Sequence, residues 1–173
     1  MIVLLEFIKD LFVYVLIILI IVLIRIYIIV PFEISGISME PNLKEGDMMM
    51  MDKLIHHYWD YERFNLVVLE YDNPKYIIKR IVGLPGEYIE YKDNKLYVNN
   101  KEVKEPFNKL GYTDNFSIKK LGYEQIPDNM YLVMGDNREL SLDSRIFGLV
   151  LEKEIVGKPF VRFWPFKKFK FIK

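Results

Sequence analysis

The chain has no cysteine among its 173 residues, which excludes disulfides, thiolate catalysis and cysteine-ligated zinc. Histidine is nearly as scarce. The 2 present, His56 and His57, are adjacent in a polar, aromatic stretch and outside any recognisable catalytic run. Alanine is missing altogether, while isoleucine, lysine, tyrosine and asparagine abound, a pattern that an AT-rich coding bias alone would produce. Excess charge is lacking too: 24 basic and 24 acidic side chains cancel, leaving no electrostatic footprint for nucleic acid. The length suits one domain plus an anchor rather than two cores.

What is plentiful is apolar side chain near the N-terminus. Leu11 to Phe32 is almost entirely Leu, Ile, Val, Phe and Tyr, broken by Arg25. As a helix this run covers about 33 Å at ~1.5 Å per residue, enough for a hydrocarbon core of ~30 Å. A cleaved secretory signal would be shorter and would end on small residues, whereas this run exits through Val30-Pro31-Phe32-Glu33. The expected organisation is a short N-terminus over 1–10, a transmembrane anchor over 11–32 and one domain over 33–173. Arg25 lies about 10 Å of helix from the Phe32 end, so its stem can snorkel there. Lys9, offset by Glu6 and Asp10, faces Lys44 and Lys53 across the span, so counting positive charges does not set the orientation.

Beyond the anchor the pattern is mainly β. Alternating or continuous apolar runs recur over Asp47 to Leu54, Phe64 to Tyr71, Tyr76 to Val82, Tyr88 to Tyr91, Lys95 to Val98, Met130 to Met134 and Ile155 to Trp164. Leu84-Pro85-Gly86-Glu87 has the Pro-Gly centre of a type II turn, and Asp93-Asn94 and Asn99-Asn100 suit tight hairpins. The polar stretch from Lys104 to Asp128 reads as an extended insertion or surface loop. Met48 to Met51 reads as half a strand with alternate members in the core, or as a soft binding surface.

Three segments carry chemistry. Lys79 lies in Ile-Lys-Arg-Ile-Val-Gly-Leu-Pro-Gly-Glu (78 to 87), on one strand face with Ile77 and Ile81. There it either snorkels at an edge or is buried, and burial favours the neutral amine that a general base needs. Ser38 lies in Ser-Gly-Ile-Ser-Met-Glu-Pro-Asn-Leu (35 to 43), close after the apolar run. It is either an ordinary loop serine or a nucleophile presented with its own N–H, and a serine needs a neighbouring base to lose its proton. The third segment, Gly135 to Arg145, is a compact polar loop in which Asp143 and Arg145 can pair and Ser141 can orient an amine.

In order and spacing these segments resemble the motif boxes of bacterial type I signal peptidases, and the apolar N-terminus agrees. The resemblance covers nearly the whole chain and is weakest over Lys104 to Asp128. It implies two packed antiparallel sheets, a fold shared with the self-cleaving repressors. It also implies a serine endopeptidase that removes signal peptides from exported preproteins, with Ser38 as nucleophile and Lys79 as base. Ser141 would orient the lysine, and Asp143 and Arg145 would form a supporting ion pair. Asp136 and Arg138 would hold the loop. Gly36 stands where some members carry a serine oxyanion donor, as in the short, single-anchor branch. The family implies no cofactor or metal, a catalytic domain outside the cytoplasm at the cell membrane, and contact with lipid and with the export machinery. A self-cleaving repressor would need an Ala-Gly bond, which this alanine-free chain cannot contain. The remaining rivals are a pilus or conjugation processing peptidase and a non-catalytic tethered binding protein. The C-terminal run from Phe160 to Lys173 mixes rings with lysines, fitting either a lipid interface or a packed last strand with a solvated tail.

Overall fold

The computed structural model describes residues 2–54, 61–70, 76–107 and 111–172. His56 and His57 lie outside the described residues. The N-terminal helix α1 covers Ile2–Tyr27 and leads through Ile28 into strand β1, Ile29–Glu33. Strands β2 (Met48–Asp52), β3 (Leu66–Glu70) and β4 (Tyr76–Gly83) follow. Next come β5 (Ile89–Lys92), β6 (Lys95–Val98), β7 (Lys101–Val103) and β8 (Phe116–Ser117). Strand β9 (Met130–Met134), helix α2 (Ser144–Phe147), and strands β10 (Val150–Leu151), β11 (Ile155–Trp164) and β12 (Lys170–Phe171) complete the order.

Two antiparallel sheets result. The larger, eight-stranded sheet runs β1-β2-β11-β3-β4-β9-β10, with β12 added on β11, and the smaller runs β7-β6-β5-β8. The small sheet is built by local turns. Asp93 and Asn94, then Asn99 and Asn100, all take positive φ, which matches the right-handed twist of the hairpin arms they join. Its inward residues Ile89, Tyr91, Leu96 and Val98 pack with Val82, Leu132 and Met134 of the larger sheet in one buried cluster. The opposite face of the larger sheet carries Val67, Leu69, Ile81, Tyr131 and Val133. Met49 and Met51 are fully buried and Met48 and Met50 half-buried, so the methionine run is a strand with alternate members in the core.

The expected anchor changes in extent. Helix α1 ends at Tyr27, and Ile29 to Glu33 pair with β2 from Ile29↔Asp52 to Glu33↔Met48. The β-branched run with Pro31 favours extended backbone, and the ladder against β2 satisfies its polar groups. The described side chains of α1 from Phe7 to Leu23 include large apolar groups 43–66% exposed, and none of them belongs to the buried clusters of the sheets. Among the described residues no helix is long and apolar enough to cross a membrane. The continuously described side chains there begin with Glu6, Lys9 and Asp10.

The segment Lys104 to Asp128 is not a surface insertion. Phe116, Ile118 and Ile126 are buried with the small sheet, and Thr113 is fully buried. Glu105 forms an ion pair with Arg138, a residue only 1% exposed, and Arg138 Nη1 also donates to Tyr91 Oη at 2.8 Å and Thr113 Oγ1 at 3.3 Å. Most of its described polar side chains are exposed, but Glu105 and Thr113 turn inward to a buried guanidinium, which period-based reading scores as solvent-facing. Glu105→Ala leaves that charge without its carboxylate and is expected to cost about 3–5 kcal/mol of unfolding free energy, checked by denaturant titration.

Candidate active site

Lys79 sits mid-strand in β4, opposite Val67 of β3 and flanked on its face by Ile77 and Ile81. It is 2% exposed. Water is excluded by apolar neighbours on three sides, and desolvation penalises the ammonium form. That burial brings its pKa down to about 8, with Asp143 pulling upward, Arg145 reinforcing the drop and Asp136 opposing it. The edge alternative left open by the sequence is therefore settled in favour of burial.

Gly135, directly after β9, is where the other parts converge. Arg80↔Met134 and Ile81↔Val133 pair, so continuing the register sets Gly135 across from Lys79. A Cβ on Gly135 would lie 2.2 Å from Ser141 Oγ and 2.4 Å from the Ser38 carbonyl oxygen. Ser38 and Ser141 thus both crowd the one backbone position facing the lysine strand, and only glycine leaves room. The Ser38 carbonyl also accepts from Asn137 N at 3.0 Å, and Ile37 O accepts from Asn137 Nδ2 at 3.1 Å. Ser38 itself is half-buried in the turn after β1. Gly36 has φ of 83°, and its N–H reaches Glu45 Oε1 at 3.4 Å.

Asp143 and Arg145 meet in a two-point ion pair, Nε to Oδ1 and Nη2 to Oδ2, each at 2.9 Å. Asp143 also caps α2 and accepts from Gly135 N at 3.0 Å, which pins the loop at its start. Burial alone would raise the Asp143 carboxyl, but the Arg145 guanidinium, with the Gly135 N–H, holds it below its usual range. The Ser141 hydroxyl lies near enough to help lower Asp143, yet Ser141 Oγ is buried and has no hydrogen-bond partner of normal geometry among the described residues. A buried hydroxyl left this way is available to a nearby amine.

Sequence reasoning missed a second brace. Arg80 turns to the face opposite Lys79 and grips Asp136 at two points, Nε to Oδ1 and Nη2 to Oδ2, each at 2.7 Å. Asp136 Oδ2 also accepts from Asn42 Nδ2 at 2.8 Å, and the Arg80 guanidinium lies 4.1 Å from the Phe107 ring centroid. The lysine strand and the serine turn are thereby tied to one aspartate. The sequence named Asp136 as holding the loop, but an arginine next to the lysine does not by itself identify the two as partners.

The match to known proteins follows this geometry. The family model described as signal peptidase, peptidase S26, matches residues 4–164. The chain belongs to the signal peptidase S26 family. Signal peptidase IB of Staphylococcus aureus (strain MRSA252) is 40% identical over 160 residues, covering 84% of this chain and 83% of that protein. Signal peptidase I V of Bacillus subtilis (strain 168) is 41% identical over 139 residues, covering 75% of this chain and 83% of that protein. The crystal structure of a signal peptidase I from Enterococcus faecalis V583 superposes with a TM-score of 0.52 at 32% identity, over 58% of this chain and 97% of that one. The family's fold is thus the mainly β, antiparallel architecture described above.

A depressed lysine pKa means that the unfolded chain binds the proton more tightly, so stability should climb as pH rises from about 8 toward 10.5. Lys79→Met is expected to flatten that rise and to raise unfolding free energy at pH 7 by up to about 3 kcal/mol, measured by denaturant titration across pH.

Proposed function

We propose that this chain is a membrane-anchored serine endopeptidase that removes signal peptides from exported preproteins, with Ser38 as nucleophile and Lys79 as general base. The observation that carries this reading is a buried amine, its pKa near 8, on the strand facing the glycine that Ser38 and Ser141 both crowd. Neutral Lys79 takes the Ser38 proton as Oγ attacks the scissile carbonyl. The Ser38 N–H stabilises the oxyanion, and the new ammonium returns its proton to the leaving amine. Water then attacks the acyl-enzyme with Lys79 again as base, releasing the signal peptide's carboxylate and restoring the serine. Ser141 orients the amine through its buried hydroxyl oxygen. The Asp143–Arg145 pair holds that loop, and Gly36 gives the serine turn its left-handed bend.

The substrate joins as an extended strand, its main chain hydrogen-bonding to a sheet edge. Alternation then points the residues one and three before the cut at the same wall, which admits small side chains. Helix α1 is the anchor. From Leu11 to Leu23 it is apolar on every face, a pattern suited to lipid rather than to a surface groove, and it holds the domain at the outer membrane face.

The C-terminal run supplies a second contact with lipid. Trp164, Phe166, Phe169 and Phe171 are exposed, in the edge-to-face pairs Trp164–Phe166 and Phe169–Phe171. Lys167, Lys168 and Lys170 are exposed among them. Rings and lysines so mixed settle at an anionic headgroup interface.

Ser38→Ala and Lys79→Ala should each lower cleavage of a preprotein by at least about 10⁴-fold while membrane insertion is retained. In the unmodified chain kcat/KM should rise with pH through a midpoint near 8, as Lys79 sheds its proton. Retained turnover in either variant overturns the assignment. For the tail, Trp164 emission in a Trp59→Phe background should be quenched by brominated acyl chains in vesicles containing anionic lipid. Quenching should fall when Lys167, Lys168 and Lys170 are replaced by glutamine, and unquenched emission sinks the lipid contact.

A further inference from the structure

Asn137 donates twice to the turn that carries Ser38. Its backbone N–H donates to Ser38 O at 3.0 Å, and its side-chain Nδ2 donates to Ile37 O at 3.1 Å. The side chain is 1% exposed, and its own Oδ1 is buried without a partner among the described residues. An orphaned buried acceptor is a cost that an apolar side chain of similar volume would avoid, so the donation to Ile37 O has to return something.

The covalent geometry of the peptide says what. Ile37 C=O and Ser38 N–H belong to the same planar unit, and this bond is trans, unlike the cis bonds at Glu40-Pro41 and Trp164-Pro165. In a trans peptide the C=O and N–H point to opposite sides. A donor fixed on the Ile37 oxygen therefore fixes the direction of the Ser38 N–H and aims it away from Asn137. Donation into the carbonyl also polarises the peptide and strengthens its N–H as a donor. The second bond, to Ser38 O, stops the next peptide plane from rotating.

We infer that Asn137 is a positioning residue for the oxyanion donor: its side-chain amide sets the angle and the strength of the Ser38 N–H without touching substrate. The inference rests on Ser38 being the nucleophile, as proposed above. Asn137 differs from Asp136 and Asp143, whose carboxylates brace the framework through arginines, because its bonds end on the peptide that would meet the developing charge.

Asn137→Leu keeps the approximate size and the backbone donor, adds no charge near Lys79, and has no side-chain donor. In the full-length chain in detergent, kcat on a preprotein should fall about 10²-fold. KM should stay within about twofold, and the pH midpoint should stay near 8 because Lys79 is untouched. A peptide aldehyde, whose adduct with Ser38 carries the same tetrahedral oxygen, should lose affinity in step with kcat. Unchanged kcat, a rise in KM alone, a moved pH midpoint or an unchanged aldehyde affinity would each overturn the inference. If Asn137→Leu does not fold, Asn137→Ala, smaller and likewise without a side-chain donor, carries the same readouts. Ser38→Ala run in parallel separates the two ideas. Turnover by Ser38→Ala removes the nucleophile assignment, whereas an inactive Ser38→Ala beside a fully active Asn137→Leu removes only the role of Asn137.

Discussion

Everything at this site depends on keeping one primary amine dry. An ammonium in water has no reason to give up its proton near neutrality, and Lys79 does so because β3 and β4 surround it with Val67, Ile77 and Ile81. The fold supports this at a cost, since a lysine in that position opposes the stability of the sheet that holds it. Neighbouring charges refine the balance rather than create it: Asp143 pulls toward the charged form and Arg145 away from it. Because Asp143 is itself committed to Arg145, its charge is not free to restore the ammonium fully.

The second requirement is that separate pieces of chain arrive together and stay together. Two carboxylates do most of this. Asp143 ties the start of the polar loop to its end, through Gly135 N and Arg145. Asp136 ties the lysine strand to the serine turn, through Arg80 and Asn42. The smaller sheet closes the assembly from outside by burying Arg138 against Glu105 and Tyr91. Each anchor is an ion pair or charged hydrogen bond with little solvent access, where directionality is retained and water does not compete.

Much of this was legible in the sequence, and the failures have physical causes. Local rules worked where structure is local. The Asn-rich hairpins, the Pro-Gly turn and the alternating methionines declare themselves through φ preference and period, and all are present. The lysine's surroundings were half legible: the strand face was correct, but whether it was covered depended on Val67 and on loops far away in sequence. Lys104 to Asp128 was misread because Phe116, Ile118 and Ile126 are widely spaced among exposed polar residues, and because Glu105 and Thr113 serve a buried arginine, which no periodicity can reveal. The boundary at Tyr27 was missed because an apolar β-branched run suits a helix in lipid and an edge strand equally well. The Asn137 contacts, spanning 100 positions, carry no sequence signal at all.

Ile28 alone joins α1 to β1, and its carbonyl is held by Lys53 N at 2.9 Å. There is no slack in that joint. With the helix embedded as proposed, the catalytic cleft cannot drift away from the bilayer or swing freely around its stalk. It works at a fixed height, like a blade set in a guide. Where a passenger protein is severed would then be measured from the lipid surface as well as read from its side chains, so a scissile bond placed too near the membrane, or too far from it, would escape even with ideal small residues beside it.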